Sequence, residues 1–387
     1  MSGLYDRYFQ VKKRGKSYSS EDEYLGEIYS FVDMCFAGLS MLYTAEEGND
    51  GEKSDAQEQE NIRRTRIREL YHTAQQAYDA LFGRQHEPAG ETRDYIKEQL
   101  ICADAHIKER LLFTPLSSMQ FKMRRLIKRL FLTPFETFLL YLGYAATYDE
   151  KYSALFADIQ GNTAKTQPTL KLAMLLYTLY AETDEAEIGH MLEWGNPLLE
   201  SFFDIKKETT GQPENYGFAC NRRTCAFLRG YNDLDRDVKR FASYIGRENP
   251  PDEVIVRQEE EKRVKAAVSR FLSKDSGKSI NNKNAENNET GNVLHIYGPS
   301  GNGKRLFIQR AAAAEGYGVI YVNIDRVEAA TFDEVEICLA HLIQESILLN
   351  AVLCFLDDKD REEEEAEEGQ YRQRVGLICT AWICRRW

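Results

Sequence analysis

Gly298-Pro-Ser-Gly-Asn-Gly-Lys304 is the stretch from which the rest of this 387-residue chain is read. It follows a short apolar run, Val293-Leu-His-Ile-Tyr297, and precedes Leu306-Phe-Ile-Gln-Arg-Ala-Ala-Ala-Ala314. Strand, glycine loop and helix form the context in which a GxxxxGK pattern becomes informative. Gly298, Gly301 and Gly303 let backbone N–H groups turn toward phosphate oxygens, where Cβ atoms would collide. Pro299, Ser300 and Asn302 complete the loop. The helix that follows adds the positive end of its dipole, and Lys304 would reach the β- and γ-phosphates. One position departs from the pattern. Where a Ser or Thr hydroxyl would ligate Mg²⁺, this chain has Arg305.

Downstream the elements alternate. A helix over 304–314 is closed by Gly316 and Gly318, and Val319-Ile-Tyr-Val-Asn-Ile324 predicts a buried strand. Thr331, with Glu334 three residues on, caps a helix running to about Leu349. Val352-Leu-Cys-Phe-Leu-Asp-Asp358 follows, and Val375-Gly-Leu-Ile-Cys-Thr380 reads as a further strand. This order predicts an α/β P-loop NTPase fold, a parallel sheet with helices on both faces. Ligands of such sheets sit at the carboxyl ends of the strands. That places Asp357 and Asp358 beside the glycine loop. Asp357 would hold Mg²⁺ through water, and Asp358 would polarise the attacking water. The acidic run that follows makes a solvated loop start the competing reading, and the upstream loop favours the metal reading.

Upstream, residues 1–115 predict an α-helical region. Helices are expected over about 19–45, capped by Ser19 or Ser20, over about Asn61–Leu81, and over about Thr92–Leu112. Glu46 to Glu60 has no hydrophobic period and reads as a solvated loop. Residues 116–248 have shorter helices with sharp starts. Thr133-Pro-Phe-Glu136 is a capping box with proline at the first helical position. Gln167-Pro-Thr-Leu170 starts another helix, Asn196-Pro-Leu-Leu199 and Thr224-Cys-Ala-Phe-Leu228 are short apolar runs, and Asp233-Leu-Asp-Arg-Asp237 begins a last helix. Short helices ending in short strands predict a winged-helix-like α+β module. Residues 249–291, a charged helix followed by a polar tract rich in Asn, Lys and Ser, predict the boundary before a P-loop domain over 292–387.

Composition narrows the function. The chain is 43% hydrophobic and 29% charged, as a soluble globular protein is. No apolar run approaches the ~18 residues of a membrane span. The N-terminus lacks the apolar core of a secretory signal, so the cytoplasm is the expected compartment. The net charge is −12, of which −7 falls between Asp357 and Glu368, leaving −5 elsewhere. That balance disfavours nucleic acid as a general partner. The basic cluster Lys122, Arg124, Arg125, Lys128 and Arg129 reads as a solvated helix face before it reads as a phosphate contact. Cys35, Cys102, Cys338 and Cys354 lie in apolar patterns and read as small hydrophobes. The pairs Cys220/Cys225 and Cys379/Cys384 have four-residue spacing, which suits reduced structural thiols better than zinc.

With these motifs in hand, residues 292–380 resemble the front half of an AAA+ ATPase domain in loop, strand order and acidic pair. A narrower likeness comes from Leu132-Thr-Pro-Phe-Glu-Thr-Phe-Leu-Leu140, Asp149-Glu-Lys-Tyr152, Gln167-Pro-Thr-Leu170 and Phe227-Leu-Arg-Gly-Tyr-Asn-Asp-Leu-Asp-Arg236. These look like the winged-helix-like N-terminal region of AAA+ ATPases encoded beside contractile, phage-tail-like injection systems. The resemblance implies ATP and Mg²⁺ as cofactors, a protein client or self-assembly into a ring, and components of a contractile injection system as partners. It also implies that a polar residue at the end of the 375–380 strand faces the γ-phosphate, a place where Thr380 stands, although a threonine at a strand end is commonplace. Two departures bear on activity. Arg305 removes the metal-ligating hydroxyl and Leu306 offers no substitute, so hydrolysis would slow. Only 89 residues follow Gly298. The family's last strand, arginine fingers and helical lid would lie beyond Trp387, which makes the AAA+ domain C-terminally incomplete. The expected function is an ATP-binding AAA+-type protein, an ATP hydrolase in protein remodelling or assembly. The alternative is a nucleotide-sensing or protein-interaction adaptor that does not hydrolyse ATP. A DNA-binding initiator-like ATPase ranks last.

Overall fold

The computed structural model describes residues 4–46, 93–115, 121–160, 162–181, 201–206, 215–248, 258–274, 294, 296, 303–328 and 332–356. The chain divides into two compact units, Met1–Tyr231 and Asn232–Trp387.

The first unit begins with a short helix, α1 (Leu4–Tyr8), followed by the long helices α2 (Glu21–Glu46) and α3 (Arg93–Phe113). Ser20 caps α2, its hydroxyl accepting the Glu23 N–H at 3.2 Å, while Glu23 reaches back to the Ser19 N–H at 2.9 Å. The buried face of α2 carries Tyr24, Ile28, Phe31, Val32 and Cys35, and that of α3 carries Ile96, Leu100, Ala103 and Ile107. The two meet at Gly38, where an added Cβ would fall 2.7 Å from the Ile96 Cγ2. Cys102, expected in the apolar pattern, is instead exposed. It lies between the spaced apolar positions of the helix, off the stripe they make.

A buried polar joint fixes the N-terminal strap to these helices. Arg110, 2% exposed, donates to the Lys16 and Ser17 carbonyls and pairs with Glu23 and Glu27, and its guanidinium lies 4.0 Å from the Tyr18 ring centroid. Each of its three nitrogens donates to an acceptor, as a buried guanidinium requires.

Helix α4 (Lys122–Arg129) is capped from outside, Glu21 accepting the Met123 N–H at 3.0 Å. Helix α5 (Pro134–Tyr148) has the predicted capping box, with both reciprocal bonds between Thr133 and Glu136 formed. Helix α6 (Lys151–Ile159) and helix α7 (Leu170–Tyr177) follow, the latter capped by Thr169. Strands β1 (Phe203–Lys206) and β2 (Gly217–Cys220) pair antiparallel, Phe203 opposite Cys220. Thr169 bridges Gly217, which adds the start of α7 to this small sheet. Asn221 accepts the Thr224 N–H at 2.9 Å and opens α8 (Arg222–Leu228), so the apolar run 224–228 is helical. Helix α5 lies against the hairpin at Gly143, where no Cβ would fit beside Phe203. Helix, bridge, helix, hairpin and helix make a winged-helix-like module.

In the second unit the helix expected from Asp233 is reduced to one 3-10 turn, Val238–Arg240. Strand β3 (Ala242–Ile245), α9 (Gln258–Lys274), α10 (Lys304–Ala314), β4 (Gly318–Asn323), the short α11 (Ile324–Glu328), α12 (Phe332–Leu349) and β5 (Ala351–Leu356) complete the described elements. Strand order is β3-β4-β5, with β3 antiparallel and β5 parallel to β4. Among the described residues the sheet is therefore small and mixed, where an all-parallel sheet was expected. The addition of β3 causes this, because it enters from upstream rather than through a crossover helix. Alternation sorts the two faces. Ile320, Val322, Leu353 and Phe355 pack with Cys338 and Leu342 of α12, and Val319, Tyr321, Val352 and Cys354 pack with Ile308 and Ala312 of α10.

The unit boundary at 231/232 lies upstream of the linker expected at 249–291. Leu234 and Val238 are 2% and 1% exposed within the α12 core, and β3 is hydrogen-bonded to β4. Residues 232–248 therefore pack with the second unit.

Candidate functional site

Helix α10 begins where the glycine loop ends. Gly303 takes the left-handed conformation, φ +71°, which glycine adopts without penalty. The first i→i−4 bond of α10 runs from the Phe307 N–H to the Gly303 carbonyl at 3.1 Å. The N–H groups of Lys304, Arg305 and Leu306 thus precede the helical ladder, in the turn where anions bind helices. The far end is closed by Gly316, φ +86°, with Gly316 N–H to Ala313 O at 3.0 Å and Tyr317 N–H to Ala312 O at 2.9 Å.

This turn reverses the chain, so β4 runs back along α10 and the Lys304 end lies toward the carboxyl end of β4. One bond fixes that placement. The Tyr321 hydroxyl donates to the Arg305 carbonyl at 2.7 Å. Tyr321 is opposite Cys354 in the parallel ladder. Burial pushes the Cys354 thiol up to about 11, with the Arg305 charge pulling the other way. Burial raises the Tyr321 hydroxyl as well, and Arg305 again opposes it. Asn323 and Leu356 end the two strands side by side. Leu356 is followed in sequence by Asp357.

Of the predicted site residues, the structure describes Gly303, Lys304 and Arg305. Gly298, Pro299, Ser300, Gly301, Asn302, Asp357, Asp358 and Thr380 lie outside the described residues, as do the helix expected over 61–81 and the strand over 375–380. Of the strand expected before the loop, Leu294 and Ile296 are described. Both pack against the cluster of Val268, Leu272 and Ala311. Two positions apart on one cluster is the spacing that an extended chain gives. The Tyr321–Arg305 bond had no signal in the motif, since Tyr321 reads only as one apolar residue of a strand.

The remaining candidates are in the first unit. Arg124 of the basic cluster donates to the Thr114 and Leu111 carbonyls at 2.9 and 2.8 Å, tying α4 to the end of α3. Lys122 is buried, its amine lowered by desolvation and placed 5.4 Å from the Phe227 ring centroid. At least these two cations serve joints between helices. Cys225 donates its thiol to the Cys220 carbonyl at 3.3 Å, and burial raises both thiols, which favours the protonated forms. Among the described residues no group of three His, Cys, Asp or Glu side chains is arranged to hold a metal ion. No helix of the described residues is long and apolar enough to cross a membrane.

Helical content and the hairpin over 134–228 define a winged-helix-type protein. A family model described as "Winged helix domain, variant" matches residues 10–242, more than half the chain, and the chain belongs to that family. The match takes in α2 and α3 and stops at the first residue of β3, upstream of the glycine loop. No curated protein matches the chain. No solved structure matches it either.

Proposed function

We propose that the second unit is a nucleotide-binding domain of the AAA+ type, with ATP held by Gly298, Pro299, Ser300, Gly301, Asn302, Gly303 and Lys304 and covered by Arg305. The supporting observation is the position of the α10 N-terminus. It starts at a left-handed glycine and lies at the carboxyl edge of two parallel strands, one of which leads directly into Asp357. A triphosphate fits that end, since helix dipole, first-turn N–H groups and Lys304 all favour negative charge. Mg²⁺ fits less well. Arg305 supplies no oxygen, so the ion would rest on Asp357 and on its own waters. Bound Mg²⁺ would screen the phosphate oxygens, and Asp358 would take the position of the water-polarising base. On this reading the protein is an ATP hydrolase in protein remodelling or assembly, working on a protein client or as a ring, in the cytoplasm. A role beside contractile injection systems rests on the sequence resemblance alone.

Arg305 favours a second reading. A cation at the hydroxyl position suits nucleotide holding more than turnover, and the chain would then be a nucleotide-sensing adaptor built on its winged-helix module. Phosphate release with Mg²⁺ separates the two readings. Release that stops in Asp358→Asn supports the hydrolase, while tight ATP binding without release supports the adaptor.

A further inference from the structure

We propose that Arg240–Ile245, the stretch where the chain coming from the winged-helix module joins the sheet, senses occupancy of the nucleotide site. This rests on the nucleotide reading above and adds to it a means of regulation.

The first unit ends at Tyr231, and the next residues are fastened at once. The buried Glu345, 1% exposed, accepts the Asp235 N–H at 2.8 Å, and Leu234 and Val238 enter the α12 core. The chain then reaches the carboxyl edge of β4. The Phe241 carbonyl accepts the Asn323 N–H at 2.9 Å, and the Arg240 carbonyl accepts from Arg326 Nη1 at 3.2 Å. Arg326 is itself held by its N–H to the Asn323 Oδ1 at 3.1 Å.

The register puts these bonds in one row with the proposed site. Ala242 pairs with Val322, which pairs with Phe355, and Asn323 pairs with Leu356. Three strands span about 10 Å at the usual spacing. The entering chain therefore meets the sheet about 10 Å from the residue that precedes Asp357, on the edge where the Tyr321–Arg305 bond places α10. The end pair of a ladder opens at the lowest free energy, so it is the pair most sensitive to what is bound beside it. A triphosphate that orders the ends of β4 and β5 would hold the Phe241–Asn323 pair closed. An empty site would let it fray, and with it the segment leading back to the first unit.

Backbone hydrogen exchange of the full chain tests this, with and without saturating adenylyl imidodiphosphate and Mg²⁺. The expected result is exchange about fivefold slower on binding at Asn323, whose N–H closes the pair, and over Ser243–Ile245, the low end of allosteric coupling. Arg326→Met, at an exposed position outside the nucleotide site, should bind the analogue equally and lose that slowing. Binding with protection at 305–310 and unchanged rates at Asn323 and Ser243–Ile245 would overturn the inference, as would equal slowing in the Arg326 variant. Absence of any binding would overturn the nucleotide reading itself, and this inference with it.

Discussion

Arg305 stands where a magnesium-dependent site of this loop type carries a hydroxyl, and its carbonyl is fixed by the Tyr321 hydroxyl at 2.7 Å. On the proposed nucleotide reading the main chain here would serve a phosphate loop, while the side chain offers a metal no oxygen. On that reading Arg305→Ser would restore the missing ligand. It should tighten the Mg²⁺ requirement for analogue binding by about tenfold, in the range that a change at a metal site produces. A magnesium titration of analogue affinity checks it, and an unchanged magnesium midpoint would count against the assignment of position 305. In the first unit the carboxylates around Arg110 govern acid stability. Burial alone would raise Glu23, but hydrogen bonds from Ser19, Arg110 and Lys13 outweigh it and hold the carboxyl well below its ordinary 4.5. Glu27 is likewise lowered, its burial outweighed by His106, Tyr18 and Arg110. A carboxyl lowered by folding stabilises the fold fully above about pH 4.5, and that stability is lost as pH falls through the lowered values. Glu21 and Asp33 work in the opposite direction, because burial raises both, and the deep lowering of Glu23 decides the sign. Urea midpoints of the first unit should therefore hold from pH 7 to about 5 and fall below about 4.5. A midpoint that rises on acidification would show that Glu21 and Asp33 dominate.

At the scale of elements, local signals with a fixed chemistry were legible before any coordinates. The Thr133–Glu136 box gave the start of α5, and the helix ending before Gly316 gave α10 and the turn into β4. Thr133→Ala removes one half of that box and should destabilise the first unit by about 1 kcal/mol, measured by urea unfolding. A value near zero would mean that Glu136 finds another partner. Other elements were hidden for physical reasons. Helix α4 has no capping side chain of its own, since Glu21 caps it from 102 residues away. Its last turn is followed by Phe131 at φ +49°, a position where glycine is the usual signal and none is present. The run 224–228 was ambiguous because a short apolar run fits a strand or a buried helix equally, and only the Asn221 cap decides it.

For the whole molecule, the winged-helix character was readable from the rhythm of short capped helices, and the family match over 10–242 extends it to α2 and α3. The place of division was not readable. A polar tract marks where chain composition changes, whereas the unit boundary depends on which core receives Leu234 and Val238, a tertiary fact. A chain beginning at residue 249 would lack those two side chains and β3. It should be less stable than one beginning at 232 by about 3 kcal/mol or more, since burial of each such side chain contributes ~1.5–3 kcal/mol. Equal urea midpoints for the two would return residues 232–248 to the first unit. The candidate site was legible as a motif, of which Gly303 precedes the start of α10 and Lys304 and Arg305 form its first residues. What no motif could supply is the edge they share with β3, which depends on strand register. The central claim, a nucleotide site at the start of α10, is tested most directly by calorimetric titration of the full chain with adenylyl imidodiphosphate, before and after Lys304→Ala. The account predicts binding by the native chain and an affinity at least about tenfold weaker in the variant, as loss of a charged phosphate contact implies. Equal affinity in the two, or none in the native chain, would contradict it.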